Sequence, residues 1–362
     1  MNNIPNSITV PPPPQPQPPA PSGWDILGPD LTELILSHLS DIPAVLRSAA
    51  VCKQWNSIIH SHSFKTLFSR RRRRWLFLSD DNHAACAFDP DSDRWITLPS
   101  PIAPSNFPAK LDPPFSMRHR VMETYTEPGC PNTVRIILAG GGDDGLAAEI
   151  YTAEFNSSEK LAPLPGIFRP ANGTLSSAIH NQKFYVLISR QGFLSSFDFR
   201  TRRWSAVRTV KPAGAVMTRL ISGDQDRLIL AGLCCLNGAM EFNLWRIDEE
   251  SLEYREIAAM PEESVSELLI RKDSIWGEER LRFAGGRNVV YAMETVRGEI
   301  CEIRWRPGKW CRWRKIPRFP VDEGIFRGVS RFYCSGVSLK DFLTSKEKTW
   351  LIDNINVVVG FS

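Results

Sequence analysis

The residues that could carry chemistry begin with a glycine-rich run from Gly140 to Gly145, which reads GGGDDG. This run has the spacing G-x-G-x-x-G and follows the apolar stretch VRIILA, as a dinucleotide-binding turn would. Such a turn must open a helix whose N-terminus faces the pyrophosphate, whereas the following LAAEIYTAEF reads as another strand. Asp143 and Asp144 would also place negative charge where phosphate should lie. The run therefore predicts a turn between strands and no nucleotide cofactor.

The histidines and the hydroxyl nucleophiles show no catalytic spacing either. Of the 6 histidines only His60 and His62 lie close together, at the end of a helical pattern among serines, where a structural or solvated role is favoured over metal ligation. The nucleophile-elbow motif G-x-S-x-G is absent. We expect no catalytic residue, no metal and no cofactor.

Charge is concentrated at one place. The five arginines from Arg70 to Arg74 exceed the formal net charge of +4, so the rest of the chain is close to neutral. Such a run suits nuclear import or a phosphate-bearing partner, and it equally suits a solvated junction between two units. No aromatic residues are interleaved with basic ones, so the pattern does not favour nucleic-acid recognition. We expect a cytoplasmic or nuclear protein, or one found in both compartments.

The first residues, the apolar runs and the cysteines indicate in which cellular environment the protein is expected. The beginning, MNNIPNSITV, has no basic start and no apolar core, so we expect no signal peptide. Apolar runs are far shorter than a membrane span requires. The 8 cysteines include no C-x-x-C pair, which favours reduced thiols.

Composition and periodicity divide the chain into four parts. Residues 1–22 are dominated by PPPPQPQPPAP and predict a disordered or polyproline arm, with docking to a proline-reading domain as an alternative. Residues 23–68 have helical spacing, residues 69–74 form an arginine-rich junction, and residues 75–362 have short β-rich runs separated by turn residues.

The helical part carries more apolar side chains than it can bury. Leu31, Leu34, Ile35 and Leu39 recur at three and four residues, behind Asp30 in the position of a helix cap. A second apolar series runs through VCKQWNSII. A few short helices cannot cover this surface among themselves, so some of it must face a partner.

The β-rich part contains an internal repeat. A strand ending in a small residue recurs at intervals of 42 to 60 residues, and a charged turn ending in an aromatic follows most copies. The small residues are Ser79, Ala139, Ser189, Ala231, Ala284 and Ser335, and the aromatics are Trp95, Trp204, Tyr254 and Trp313. This pattern predicts an all-β propeller of six blades, within a range of five to seven. We expect the small residues on inner strands, the aromatics between blades, and the final INVVVGFS paired with an early blade to close the ring.

Two sets of motifs carry family resemblances. The β-rich part resembles the kelch-repeat propellers, with Gly140-Gly141 and Gly285-Gly286 matching the double glycine and Trp95, Trp204 and Trp313 matching the later tryptophan. The segment ILGPDLTELILSHLSDIPAVLRSAAVCKQWNSIIHSHSF resembles an F-box, apart from a glycine inserted between Leu27 and Pro29. The combination resembles plant F-box/kelch-repeat proteins.

The resemblance implies a non-catalytic function. An F-box docks a Skp-type adaptor, which links it to a cullin-based ubiquitin ligase, while the propeller binds an unidentified target protein for ubiquitination. By matching position, the adaptor-facing set would be Leu27, Pro29, Leu31, Ile35, Leu36, Leu39, Pro43, Val51, Cys52 and Trp55. The alternatives are a kelch scaffold without a ligase role and a propeller enzyme. The target-binding residues are not identified by the sequence.

Overall fold

The computed structural model describes residues 27–39, 42–71, 75–80, 85–98, 120–126, 134–152, 157–222, 228–236, 238–268, 281–286, 288–306, 310–319 and 329–335. The predicted proline-rich arm, the segment 100–119 and the final INVVVGFS lie outside these residues. The described part begins with helices and continues as β-sheet, as the sequence predicts.

Four short helices form the N-terminal unit: α1 (Pro29–Leu36), α2 (Ile42–Ala49), α3 (Lys53–His60) and α4 (His62–Arg71). The prediction that Asp30 caps α1 is wrong, because Gly28 occupies the cap and the amide of Thr32 donates to the Gly28 carbonyl at 3.0 Å. Pro29 then takes the first helical position, where its missing amide costs nothing. The glycine inserted before Pro29 is thus used as a cap.

The β-rich part folds into five antiparallel sheets, which we call blades I to V. Blade I contains β1 (Trp75–Asp80), β2 (Ala85–Asp89), β3 (Arg94–Leu98) and the last described strand, β21 (Val329–Ser335). Blade II contains β4 (Val121–Thr126), β5 (Val134–Gly141), β6 (Ala147–Thr152) and β7 (Ser157–Lys160). Blade III contains β8 (Leu175–His180), β9 (Lys183–Ile188), β10 (Phe193–Asp198), β11 (Arg203–Trp204) and β12 (Arg208–Thr209). Blade IV contains β13 (Ala215–Ser222), β14 (Leu228–Leu236), β15 (Ala239–Ile247) and β16 (Tyr254–Ala259). Blade V contains β17 (Leu281–Gly286), β18 (Val289–Glu294), β19 (Glu299–Arg306) and β20 (Trp310–Lys315), and a helix, α5 (Glu262–Leu268), precedes it.

The propeller prediction is confirmed, with five blades at the lower end of the predicted range. The favoured count of six fails because two of the six repeated strands belong to one sheet: β1 and β21 pair antiparallel, with Trp75 opposite Ser335 and Ser79 opposite Arg331. Among the described residues, the late strand that joins the first blade is β21, and the predicted pairing of INVVVGFS lies outside these residues. Because β1 is the first strand of the propeller and β21 is the last described strand, their pairing closes the ring. It also removes an exposed strand edge.

The repeated small residues mark a different strand from the one we expected. The first strands of neighbouring blades, such as β8 and β13 or β13 and β17, contact one another and so lie nearest the centre. Ala139 and Ala231 lie on β5 and β14, the second strands of their blades, and only Ala284 and Ser335 lie on innermost strands. Close packing against a neighbouring strand therefore explains most of these residues better than crowding at the centre.

Apolar clusters lie between neighbouring blades and join four pairs of them. These clusters lie between blades II and III, III and IV, IV and V, and V and I. The other side of blade I, with Trp75, Phe77, Ala87 and Ile96, packs on the helices, where Leu36, Val45, Leu46, Ile59, Phe64 and Phe68 complete the cluster. The helical unit and blade I therefore share one core.

Candidate protein-docking surface

Helix α1 has apolar residues on two sides, and only one side is used in the core. Thr32 and Leu36, four residues apart, are buried. Leu31, Leu34 and Ile35 lie at three- and four-residue spacing on another face, with 54%, 40% and 41% of their surfaces exposed. Large aliphatic side chains clustered on one exposed helical face indicate a protein-docking surface.

The turn between α2 and α3 adds a second exposed apolar residue. Val51 is 65% exposed, and Cys52 is exposed beside it. The Cys52 sulfur accepts a hydrogen bond from the amide of Trp55 at 3.4 Å and caps α3. This cap fixes the turn in a conformation that leaves Val51 in solvent.

The remaining residues of the predicted adaptor-facing set are divided between surface and core. Contrary to the prediction that Leu36 faces the adaptor, only 2% of its surface is exposed. It packs among the helical core residues, so it is not available to a partner. Leu39 and Trp55 are half-buried against the same core, and Leu27 is half-buried while Pro29 is exposed. The side chain of Pro43 lies outside the described residues. Leu34 was not in the predicted set, and it is exposed at a three-residue spacing from Leu31.

The glycine pairs of the propeller meet specific packing demands. Gly140 has φ of +85°, and a Cβ there would come within 2.9 Å of the Arg120 side chain. A Cβ on Gly285 would come within 2.5 Å of the Ile221 side chain in blade IV. Gly141 and Gly286 are the last residues of β5 and β17. The first glycine of each pair therefore permits a close approach between segments.

The three repeated tryptophans lie on β3, β11 and β20, which are outer strands of blades I, III and V. The Trp95 indole donates to the Pro317 carbonyl at 2.7 Å, and the Trp204 indole donates to the Ala162 carbonyl at 2.8 Å. Trp313 packs edge-on against Phe242 of blade IV, with ring centroids 5.8 Å apart. In each case the aromatic reaches the preceding blade of the ring.

An F-box domain model matches residues 24–67, the segment that contains the exposed face of α1. Over an alignment of 365 residues, 28% of positions are identical to F-box/kelch-repeat protein At1g23390 of Arabidopsis thaliana, covering 86% of this chain and 90% of that protein. F-box only protein 6 of the same plant is 23% identical over 350 residues, which cover 83% of this chain and 71% of that protein.

The chain contains an F-box domain and is similar to plant F-box/kelch-repeat proteins over most of its length. A second Arabidopsis thaliana relative, F-box/kelch-repeat protein At3g61590, is 36% identical over 88 residues, which cover 23% of this chain and 21% of that protein. The exposed residues of α1 and Val51 lie inside the matched F-box segment. Among the described residues, four exposed large aliphatic side chains, Leu31, Leu34, Ile35 and Val51, thus lie on the matched F-box segment.

The glycine-rich run and a buried histidine have structural roles in this protein. The run Gly140–Gly145 comprises the end of β5 and the turn to the antiparallel strand β6, with no helix after it. Within the described ranges, no three metal-ligating side chains converge, and no helix is long and apolar enough to cross a membrane. The buried His180 pairs with Glu249, which also accepts from the Tyr185 hydroxyl at 3.2 Å, and the three side chains join blades III and IV.

Proposed function

We propose that this protein is the substrate-recognition subunit of a Skp–cullin–F-box ubiquitin ligase. The observation that carries the proposal is the exposed aliphatic face of α1, Leu31, Leu34 and Ile35, on a matched F-box domain. A Skp-type adaptor would bury this face together with Val51, which removes apolar surface from water. The cullin would be reached through the adaptor, and the propeller would hold the target protein.

The proposed subunit acts by proximity and contributes no acid, base or nucleophile. A bound target lysine is held near the ubiquitin-charged enzyme, which raises its effective concentration. The shared core of the helices and blade I supports this mechanism, because Phe64 and Phe68 pack in one cluster with Trp75 and Phe77. Such a core restricts rotation between the adaptor-binding helices and the target-binding propeller.

The experiment measures adaptor binding and target turnover with the full-length chain. Leu31→Asp combined with Ile35→Asp places two carboxylates on the exposed face of α1, where their burial under a partner costs several kcal/mol. The matched control is Val207→Asp, which changes an exposed aliphatic residue of blade III. Co-purification of a Skp-type adaptor and cullin, and the half-life of co-purified partners, are measured for all three proteins.

The proposal predicts that the α1 variant loses adaptor and cullin while keeping its other partners, and that at least one of those partners becomes longer-lived. The control should match the wild type. A scaffold without a ligase role predicts unchanged partner half-lives in every sample. Retention of the adaptor by the folded α1 variant would overturn the assignment of this face.

We further propose that Arg70–Arg74 acts as a nuclear import signal. Helix α4 runs through Arg71, so the run begins at the end of this helix. A dense cationic segment at a helix end suits recognition by an acidic import receptor. The protein would then act in the nucleus as well as in the cytoplasm.

A further inference from the structure

One end of the propeller gathers most of its exposed large aliphatic side chains. In each antiparallel blade, the connections that follow the second and fourth strands leave at the same end of the ring. Ile167, Val216, Leu236 and Val296 all lie on these connections or on the strand residues beside them, and each is exposed. The opposite end has a different character, because its turn 248–253 reads DEESLE.

Three of these connections adjoin one another over blades III and IV. Segment 166–174 meets segment 189–192, where the amide of Ser189 donates to the Thr174 carbonyl at 3.0 Å. Segment 189–192 meets segment 210–214, where the amide of Val210 donates to the Gly192 carbonyl at 2.7 Å.

The same surface continues to the end of β14. The amide of Cys235 donates to the Gly214 carbonyl at 2.9 Å, and a Cβ on Gly214 would come within 2.6 Å of the Leu236 side chain. Val216 follows two residues after Gly214, at an irregularity in the pairing of β13 with β14, and it is 40% exposed, while Leu236 is 39% exposed. The connections and this apolar pair form one surface, which we call the blade III–IV surface.

The charge on the blade III–IV surface has one sign. Arg169, Arg190 and Lys211 are exposed there, one on each of the three connections. The sequences of these connections, LAPLPGIFRPANGT, SRQG and VKPAGAV, and of the CLNGA that ends the surface contain no carboxylate. Among the described residues, Arg169 and Lys211 have no ion-pair partner.

A carboxylate pair marks the edge of this surface toward blade II. Asp143 and Asp144 are exposed in the turn before Gly145, and a Cβ on Gly145 would come within 2.4 Å of Pro170. One oxygen of Asp144 is already used, because it accepts from the amide of Leu146 at 3.0 Å. The pair therefore limits how far an acidic ligand can extend beyond Arg169.

We propose that the blade III–IV surface binds an extended segment of the target protein that carries aliphatic side chains followed by acidic ones. The inference rests on the proposed function, in which the propeller holds the target. The aliphatic side chains of the segment pack on Val216 and Leu236, and its carboxylates face Lys211 and Arg169. Burial of aliphatic area supplies affinity, while the one-sided charge selects acidic over basic segments.

The chemistry of the exposed side chains favours a protein segment over a nucleic acid. Single-stranded nucleic acids bind basic grooves that also carry aromatic side chains, on which the bases stack. The exposed large side chains here are Ile167, Val216 and Leu236, which are aliphatic. Aliphatic side chains are suited to packing against Leu, Ile or Val of a partner.

The test uses the full-length protein in complex with its Skp-type adaptor. The probes are short fluorescein-labelled peptides with a Leu-x-Leu core followed by Glu residues, and matched peptides that carry Gln or Lys in place of Glu. Fluorescence polarisation gives the affinity of each peptide at low and at high salt. We expect the Glu peptides to bind at least about tenfold more tightly than the Lys peptides, with the difference reduced by salt.

Charge reversal on the protein supplies the decisive comparison. Arg169→Glu combined with Lys211→Glu should lower the affinity for Glu peptides by about tenfold and shift preference to Lys peptides. Leu236→Ser should weaken all the peptides alike. Arg312→Glu, at an exposed arginine on the last strand of blade V, is the matched control and should leave binding unchanged.

Adaptor binding is measured in the same samples, so that failure of the ligase proposal is seen separately from failure of the surface. The proposal is overturned if peptide affinity does not depend on the sign of the charge, or if the charge-reversal variant and the control bind alike. It is also overturned if single-stranded RNA binds more tightly than the Glu peptides and loses affinity in the same variant.

Discussion

The indole nitrogen of Trp95 in blade I donates a hydrogen bond of 2.7 Å to the carbonyl oxygen of Pro317, on the segment after blade V and 222 residues away in sequence. Trp204 makes the same contact from blade III to Ala162, on the connection after blade II, at 2.8 Å. In blade IV the Tyr254 hydroxyl lies 3.3 Å from the Lys211 carbonyl oxygen, on the connection after blade III. Repetition of this contact means that blade I joins blade V in the same way as blades adjacent in sequence join one another.

Removal of these aromatics should lower the stability of the ring. Trp95 is 5% exposed, so Trp95→Ala should reduce the free energy of unfolding by about 3–5 kcal/mol. Trp204 and Trp313 are half-buried, and their alanine variants should lose less, about 2–3 kcal/mol. Urea unfolding followed by far-UV circular dichroism gives the values. Trp204→Phe is the matched variant, since it keeps most of the ring but not the N–H donor. If every variant had the same free energy of unfolding as the wild type, these aromatics would lie on the surface and would not join the blades.

The helices and blade I should unfold together, because they share one core. Phe68 is buried and packs with Phe64 at a ring-centroid distance of 5.7 Å, in the cluster that contains Trp75. Phe68→Ala should lower the free energy of unfolding by about 3–5 kcal/mol and should shift the unfolding of the propeller as well as that of the helices. Calorimetry on the full chain checks this. A separate low-temperature transition, with the main transition unchanged, would mean that the helices are an independent unit.

Neighbouring residues of α1 should separate stability from adaptor binding. Leu36→Ala removes a buried side chain and should cost about 2–5 kcal/mol of stability, with adaptor affinity preserved at temperatures where the variant is folded. Ile35→Ala removes an exposed side chain, so stability should change by less than about 0.5 kcal/mol while adaptor affinity falls. Thermal unfolding and calorimetric titration with a Skp-type adaptor measure both quantities. The reverse result would exchange the roles of the two faces.

The carboxyl of Glu123 should make the ring less stable as pH rises. Burial between blades II and III raises its pKa to about 7, although the Ser177 hydroxyl donates to it at 2.9 Å and acts in the opposite direction. Because the unfolded chain releases this proton near pH 4.5 and the folded chain holds it until about 7, stability should fall between these values. The fall should be on the order of 3 kcal/mol. Urea midpoints at several pH values give the profile.

Glu123→Gln should remove this part of the pH dependence and should be more stable than the wild type above neutrality. Asp198 provides a control with the opposite sign. Amide donors from Thr201 and Arg200 lower its pKa, so its contribution is present above the pKa of the unfolded chain and is lost in acid. Asp198→Asn should therefore change how stability depends on pH in acid, and it should leave the pH dependence near neutrality as in the wild type. Identical profiles for Glu123→Gln and the wild type would contradict the pKa shift.

The arginine run should govern nuclear entry. Replacing Arg72, Arg73 and Arg74 by Gln leaves the described part of α4 intact and removes three positive charges. We expect the nuclear fraction of a fluorescently tagged full-length chain to fall, because import receptors recognise dense positive charge. Arg255, Arg306 and Arg312, which are exposed in blades IV and V, provide a control with the same change in net charge. Equal nuclear fractions for both variants and the wild type would rule out an import role.

The sequence alone determined the order of the two units and the type of each. Two local patterns in the sequence correspond to elements of the structure. One is the three- and four-residue spacing of apolar side chains in α1, and the other is the repeated turn-and-aromatic pattern around Trp95, Trp204 and Trp313. Local spacing also identified the exposed residues Leu31 and Ile35, because an excess of apolar surface on a short helix is visible from composition.

Only the tertiary structure decided which apolar residues are buried in the core and how many blades the propeller has. Leu36 looks like Ile35 in sequence, and its burial depends on Val45, Ile59 and Phe68 from three other helices. The sixth repeated strand, β21, looks like the others in sequence. It becomes part of blade I because it pairs with β1, which lies at the other end of the β-rich part of the chain. Contacts between residues so far apart are set by the closure of the whole ring, which local periodicity does not report.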